Sequence, residues 1–288
     1  MNAIPPAIYG IIGNPLKHTL SPVMHNAAFK ALKVNAVYKP FEIEQDELKL
    51  FLEDLKEEDN PIFGLNVTIP YKEKVLPYLD GINAFAEKAG AVNTIVINRQ
   101  RKLFGYNTDG PGFLAHLTEA GFDPEGKRIA IMGAGGTTRA ILSALALFDK
   151  RPENIRLYNR TLSTAKELVE DLSCRLDLGL VDIVETVDDL NIELADCLIN
   201  TTAVGLKTED EPLVDPEMLH KGLFVYDVIY NPKETKLLMS AKEKGAQTSN
   251  GLGMLFYQGV LSLQHWANVQ LDDRVKSVMR KALEKGDV

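Results

Sequence analysis

Residues 129–141 read IAIMGAGGTTRAI. An apolar run ends in clustered glycines, and a helix-forming stretch follows at once. A strand that turns this tightly into a helix belongs to a sheet of parallel strands with helical crossovers, so the stretch points to the α/β folds. Gly133 and Gly135 fit the G-x-G pattern. The first glycine permits the tight turn, and the second lets a pyrophosphate approach the backbone at a helix N-terminus. The sixth position is Thr138 rather than Gly or Ala, so the fingerprint is incomplete. A tight strand–helix turn without a ligand is the alternative.

The surrounding pattern repeats the unit. RIAIMGA (128–134), NIRLYN (154–159), VDIVE (181–185), DCLIN (196–200) and LFVYDVI (223–229) read as strands. TTRAILSALALF, STAKELVEDLSCRL and TKLLMSAKEKG read as the helices between them. This is the order of a Rossmann-type, doubly wound domain. Its second strand runs into Asn159, Arg160 and Thr161, with no acid where NAD sites place one for the ribose 2′-hydroxyl. An arginine there suits a 2′-phosphate through a charge-assisted, bidentate contact, so NADP is expected rather than NAD. A plain surface arginine is the alternative.

A second α/β block precedes it. AIYGIIG (7–13), AVYKPFEI (36–43), FGLNVTI (63–69) and AVNTIVI (91–97) read as strands, with helices over 21–34 and 45–59. This alternation predicts parallel crossovers and a buried sheet. Ser21 before Pro22 reads as a capping hydroxyl followed by a proline whose missing N–H costs nothing. The tail from about 251 to 285 is helical in pattern throughout and must pack on something, for which the first block is the expected partner.

Composition sets the remaining bounds. The 288 residues are 45% hydrophobic and 25% charged, enough for two domains with a core that needs no staples. A net charge of -8 disfavours nucleic acid and anionic membrane as partners, because the global field repels phosphates. Cys174 and Cys197 read as reduced packing residues of a cytoplasmic protein, and no Cys or His spacing suits a metal. The start MNAIPPAIYGIIG has no charged n-region of a signal peptide. The apolar run near 140–148 is far short of the roughly 20 residues of a membrane span.

Four polar clusters lie outside the glycine-rich turn. GNPLKHTLSP (13–22) puts Thr19 and Ser21 at a helix start, where two hydroxyls could hold a carboxylate, although simple capping by Ser21 is the stronger reading of the spacing. LNVTIPYK (65–72) gathers Asn66, Thr68 and Lys72 at the end of a strand that is otherwise apolar. Asn93 in AVNT reads alone as a turn residue, and Asp109 in YNTDG reads alone as a cap for a helix from Gly110.

Taken together, GNPLKHTLSPVMHN, GLNVTIPYK, GAVNTI, GYNTDGPGF, GAGGTTRA, YNRT, INTTAVG, YDVIYNP and NGLGMLFYQG resemble the shikimate dehydrogenase family. They run in family order from residue 13 to 259, and their joint specificity is high where no single one would suffice. The resemblance implies an N-terminal α/β substrate domain, 1–109, completed by helices returning over 251–288, and an NADP domain over 110–250, with the site in the cleft between them. It implies reversible, NADP-dependent reduction of 3-dehydroshikimate to shikimate in aromatic biosynthesis, by a monomer or homodimer. It makes Lys72 and Asp109 the catalytic pair. Thr19, Ser21 and Tyr230 would bind the substrate carboxylate; Thr68, Asn93 and Gln258 would bind ring hydroxyls, with Asn66 in support. Gly133, Ala134, Gly135, Gly136, Asn159, Arg160, Thr161, Thr201 and Val228 would hold the cofactor, with Gly251 and Met254 near its nicotinamide.

Two positions depart from the family pattern. Thr19 stands where serine is usual, which reshapes the carboxylate pocket and leaves quinate open as a substrate. Thr164 stands where NADP-preferring members often carry a basic residue, so the 2′-phosphate would rest on Arg160, with help from neighbouring polar groups and Arg139. A quinate/shikimate dehydrogenase accepting NAD is thus the nearest rival. A non-catalytic dinucleotide-binding regulator is the rival of another class, against which the retained Lys72 and Asp109 speak. His18 is expected at the pocket, and His25, His116, His220 and His265 on helices or the surface.

Overall fold

A computed structural model describes residues 5–16, 19–207 and 209–286. His18 lies outside them. The chain divides into two compact units. One runs up to Gly112 and resumes at Leu255; the other is Phe113–Met254.

In the first unit the elements are β1 (Ala7–Gly13), α1 (Ser21–Leu32), β2 (Ala36–Glu42), α2 (Leu48–Asp54), β3 (Ile62–Val67), β4 (Gly81–Ile82), α3 (Ala84–Ala89), β5 (Thr94–Ile97), β6 (Leu103–Tyr106) and the start of α4 (Asp109–Glu119). The strand order is β2-β1-β3-β5-β6-β4. The sheet is mixed, not wholly parallel: β1 runs parallel to β2 and β3, whereas β5 is antiparallel to both β3 and β6. The cause is a hairpin. Asn98 turns the chain by accepting from the N–H groups of Gln100 (2.9 Å) and Lys102 (2.9 Å). Arg101, in the left-handed region at φ 58°, sends its guanidinium inward to the carbonyls of Leu55 and Ile62. Ile12, Leu52, Leu65, Tyr71, Val92 and Ile95 form the core over this sheet. Each fully buried side chain of this kind contributes roughly 1.5–3 kcal/mol.

Ser21 is the first residue of α1 rather than its cap. The N-cap position falls on Leu20, which makes no side-chain cap bond, and the hydroxyl of Thr19, two residues before Ser21, accepts from the Ser21 N–H at 3.3 Å. The tail returns to this unit as two helices, α8 (Leu252–Ala267), from Leu255 onward, and α9 (Asp273–Lys285), separated by a break. Asp272 caps α9 by accepting from the Val275 N–H at 2.8 Å. Its apolar face, Val275, Met279 and Leu283, is buried, and α9 lies along α1. Trp266 of α8 sits over Gly64 of β3, where a Cβ would come within 2.4 Å of the indole, and donates to the Ile95 carbonyl at 3.0 Å.

The second unit contains β7 (Arg128–Met132), α5 (Gly136–Leu147), β8 (Asn154–Tyr158), α6 (Leu162–Ser173), β9 (Val181–Val184), β10 (Cys197–Asn200), β11 (Phe224–Asp227), α7 (Lys236–Glu243) and β12 (Gln247–Asn250). All of its sheet pairs are parallel, in the order β12-β11-β10-β7-β8-β9. Counted within the unit this is the 3-2-1-4-5-6 doubly wound topology, reversing between β7 and β10. β12 is a sixth strand beyond those the sequence pattern marks. Ile129 and Ile131 pack with Phe113, Ile141 and Leu172 on one face, while Ala130 and Met132 pack with Leu237 and Ala241 on the other. Burial on both faces explains the continuous apolar runs of the central strands.

Candidate functional site

The tight sequence LNVTIPYK resolves into opposing side-chain directions. Tyr71 is 1% exposed, and its hydroxyl donates to the Ile43 carbonyl at 2.5 Å. With its neighbour so anchored, Lys72 holds its ammonium 2.6 Å from Asp109 Oδ2. The two side chains are 15% and 10% exposed, so water screens this pair far less than a surface ion pair. Asp109 opens α4, where the helix dipole favours a negative charge. It is not that helix's cap: Asn107 Oδ1 accepts from the N–H groups of Asp109 (3.0 Å) and Gly110 (3.4 Å), leaving the Asp109 carboxylate for Lys72.

Asn93 is buried rather than an exposed turn residue. Its Nδ2 donates to Asp109 Oδ1 (2.8 Å) and Thr108 Oγ1 (2.9 Å), and its Oδ1 accepts from the Thr108 N–H (2.7 Å). Both oxygens of Asp109 are therefore engaged, one by a cation and one by an amide whose own orientation is fixed. Behind Asn93 lies a buried polar cluster that the sequence pattern did not single out: Thr94, Thr108, Ser262 and Tyr38. Ser262 Oγ donates to the Gln258 carbonyl (2.9 Å), accepts from Asn66 Nδ2 (2.9 Å) and meets the Thr94 hydroxyl at 2.8 Å. Asn66 also accepts from the Tyr38 hydroxyl at 2.8 Å, so its amide is committed to protein partners. Only three dimensions join these groups; no local spacing marks Ser262 as a neighbour of Asn66.

Among the remaining residues of this unit, Thr68 is half-buried beside Gly13, where a Cβ would come within 2.4 Å of its methyl. Thr19 is half-buried and Ser21 buried. The Gln258 amide nitrogen donates to the Leu255 carbonyl at 2.7 Å, and Gly112 of α4 lies against the Gln258 backbone, where a Cβ would meet its nitrogen at 2.8 Å. His25 lies on α1, a helix being one of the two places expected for it, and on the buried side of that helix. It is fully buried, stacked on Tyr38 at 4.6 Å and tilted against Trp266 at 5.1 Å, and among the described residues neither ring nitrogen has a hydrogen-bond partner. Desolvation lowers its pKa from 6.5 to about 3.

In the second unit the glycine-rich turn joins β7 to α5. Gly133 takes φ +106°, and a Cβ on it would lie 2.4 Å from Thr201 Oγ1, so glycine is required twice over. Gly135 meets nothing within 4 Å of an added Cβ, and Gly136 begins α5, whose first-turn N–H groups lack helical partners. Ala134 packs against the core. Thr138 accounts for the incomplete fingerprint: its hydroxyl donates to the Gly133 carbonyl (2.9 Å), accepts from the Gly135 N–H (3.2 Å) and meets Thr201 Oγ1 at 2.7 Å. A threonine thus staples the turn closed from within. These features fit a pyrophosphate: an open backbone surface at a helix N-terminus, held in one conformation.

Arg160 is exposed at the end of β8, beside Asn159, whose Nδ2 donates to the Thr161 carbonyl at 2.8 Å. Arg139 is not available as its helper. It is buried and paired to Asp171 at 2.5 Å. Gly251 lies on the Val228 backbone, where a Cβ would come within 1.9 Å of the carbonyl oxygen. Met254 is buried in the core of this unit, and Tyr230 is half-buried just after β11. His116, on α4, meets the buried Tyr226 hydroxyl at 2.7 Å. Among the described residues no group of three or more His, Cys, Asp or Glu could hold a metal ion, and no helix is long and apolar enough to cross a membrane.

Known proteins resemble the chain over nearly its whole length. The family description "Shikimate dehydrogenase substrate binding domain" matches residues 11–95. A protein of Carboxydothermus hydrogenoformans named shikimate dehydrogenase (NADP(+)) is 45% identical over 278 residues, 95% of each chain. The crystal structure of shikimate dehydrogenase from Aquifex aeolicus is similar with a TM-score of 0.86 at 37% identity, covering 97% of this chain and 98% of that one. The quinate dehydrogenase of Corynebacterium glutamicum, solved in complex with NAD, is similar with a TM-score of 0.88 at 29% identity, covering 98% and 100%.

Proposed function

The chain belongs to the shikimate dehydrogenase family, and we propose that it catalyses the reversible, NADP-dependent reduction of 3-dehydroshikimate to shikimate in aromatic amino acid biosynthesis. The observation that carries the reading is the Lys72–Asp109 pair, 2.6 Å apart and held by Asn93. It matches what carbonyl reduction needs: one cation where negative charge builds on oxygen, and one carboxylate to aim it.

NADPH supplies the hydride when bound. Lys72 Nζ faces the ketone oxygen, stabilises the charge that develops there and carries the proton that the new hydroxyl takes up. Asp109 Oδ2 holds the ammonium in place and accepts from a substrate hydroxyl. Thr19, Ser21 and Tyr230 bind the substrate carboxylate; Thr68, Asn93 and Gln258 bind ring hydroxyls. Asn66 acts through Asn93 and Ser262, since its own amide is already spent on protein partners. Gly133, Ala134, Gly135 and Gly136 receive the pyrophosphate, and Arg160 with Asn159 and Thr161 receives the 2′-phosphate. Thr201, Val228, Gly251 and Met254 hold the nicotinamide end; the close approach of Gly251 to Val228 supports a fixed floor there.

A second reading, a quinate/shikimate dehydrogenase, is favoured by the likeness to the quinate dehydrogenase and by Thr19. The test of the main reading is direct. Purified protein is mixed with 3-dehydroshikimate and NADPH, and shikimate is identified by chromatography. Its stoichiometric appearance is expected; binding of NADPH without any product would point to the regulator instead.

A further inference from the structure

One buried acid has no part in the chemistry above. Asp227, the last residue of β11, is 0% exposed, and among the described residues the donors that reach it are all neutral. Its Oδ1 accepts from Asn200 Nδ2 (3.1 Å) and the Ile229 N–H (3.1 Å), and its Oδ2 accepts from the Thr235 hydroxyl (2.6 Å). Burial holds its carboxyl above the usual range, against the pull of those three bonds. A fold seldom keeps an acid in such a place where an apolar residue would serve.

Its partners explain the position. Asn200, paired in register with Asp227 across β10 and β11, spends the rest of its amide on the next loop. Its Oδ1 accepts from the Thr202 N–H (3.0 Å) and hydroxyl (2.7 Å), and its Nδ2 also donates to the Val204 carbonyl (3.2 Å). That loop carries Thr201, whose N–H and hydroxyl donate to the Met132 carbonyl at 2.8 and 2.7 Å and whose hydroxyl fills the space beside Gly133. On the other side, the bond to the Ile229 N–H fixes the loop that carries Val228 and Tyr230. The Val228 N–H donates to the Asn200 carbonyl (3.0 Å), and the Ile229 carbonyl accepts from the Gly251 N–H (3.2 Å). One carboxylate therefore joins the loops leaving β10 and β11, at the carboxyl ends of strands where sheets of this topology bind ligands.

We propose that Asp227 is a positioning residue for the dinucleotide: through Asn200, Ile229 and Thr235 it holds the loops 201–205 and 228–230 in the form that receives the nicotinamide end of the cofactor. This rests on the dehydrogenase reading for the identity of the ligand, but the bracing of the loops does not.

The experiment uses the full-length protein with Asp227→Ala and the isosteric Asp227→Asn. NADP affinity is measured by calorimetric titration, amide hydrogen exchange of the two loops is followed without ligand, and kcat and KM are measured separately. Asp227→Ala is expected to speed exchange in both loops and to weaken NADP binding about tenfold or more, the scale of a lost charged hydrogen bond, with kcat changed less than KM. Asp227→Asn keeps one acceptor oxygen and should fall between alanine and wild type in both readouts. If alanine fails to fold, the asparagine variant carries the test alone, with exchange and affinity moving together. Wild-type exchange in both loops together with wild-type NADP affinity, in whichever variants fold, would overturn the proposal. So would a loss of thermal stability without either change. If the wild type binds no NADP, the dehydrogenase reading fails, and loop exchange alone still decides whether Asp227 braces the loops.

Discussion

Replacing Lys72 with methionine keeps an unbranched side chain, one atom shorter, and removes its charge. Two consequences follow from the geometry. The first is kinetic. A preorganised donor aimed at a developing oxyanion is worth about 2.7–4 kcal/mol, so kcat should fall by about 10²–10³. The second is structural. Asp109 Oδ1 keeps its bond from Asn93 at 2.8 Å, while Oδ2 loses its 2.6 Å partner. Removing one member of a fully buried pair costs about 3–5 kcal/mol. Here side-chain exposures of 15% and 10% admit water, and about 1–3 kcal/mol of stability is the reasonable loss. Against a typical total of about 5–15 kcal/mol the variant still folds. The assay is shikimate oxidation at saturating NADP over a full range of shikimate, beside a thermal melt. Lys74→Met is the control, because among the described residues Lys74 reaches only the exposed Gln45, at 2.5 Å, and it should behave as wild type. A kcat for Lys72→Met within about threefold of wild type would remove Lys72 from the chemistry, and a loss confined to KM would make it a binding residue only.

Other perturbations have equally definite outcomes. Arg160→Ala should raise KM for NADP about tenfold or more and leave KM for NAD nearly unchanged, since a charge-assisted contact to a 2′-phosphate is lost only with the former; equal effects would exclude that contact. Gly133→Ala meets both a φ of +106° and the Thr201 hydroxyl, and should lower stability by about 1–3 kcal/mol together with NADP affinity; a melt and titration like wild type would refute the strain. His25 is held neutral between Tyr38 and Trp266, with its pKa lowered to about 3. The native state then binds fewer protons than the unfolded chain between about 3 and 6.5, so stability is present above 6.5 and lost as pH falls through that window, at up to about 1.4 kcal/mol per pH unit. Urea melts between neutral and mildly acidic pH should show a shallower loss for His25→Phe, whereas parallel slopes would mean the ring finds a proton acceptor.

Legibility followed the range of the interactions. The β7–turn–α5 unit and the parallel strands around it were readable because apolar period, glycine position and helix start all lie within a dozen residues. The β5–β6 hairpin was not. Its turn, NRQRK, looks like a solvated charge run, yet Arg101 is buried and bonded to Leu55 and Ile62. β12 was missed because QTSN is a polar edge strand without an apolar period. Lys72, Asp109, Asn93 and Thr19 entered through motif resemblance, and the structure shows contacts among their neighbours that spacing does not mark. Asn107 caps α4 and frees Asp109 for Lys72, and Thr19 rather than Ser21 receives the N–H at the start of α1. Arg139 shows the opposite failure: local position put it near the phosphate end, and a partner 32 residues away on α6 takes it. Ser262 and Asp227 had no local signal beyond a polar residue in an apolar stretch, and only the tertiary structure shows what each holds.

The most direct test of the central claim is an initial-rate matrix on the purified protein, pairing shikimate or quinate with NADP or NAD. The account predicts turnover with shikimate and NADP that far exceeds the other three combinations. Comparable rates with quinate or with NAD would contradict the assignment of substrate or of Arg160, and no turnover in any combination would contradict the assignment of Lys72 and Asp109 as a catalytic pair.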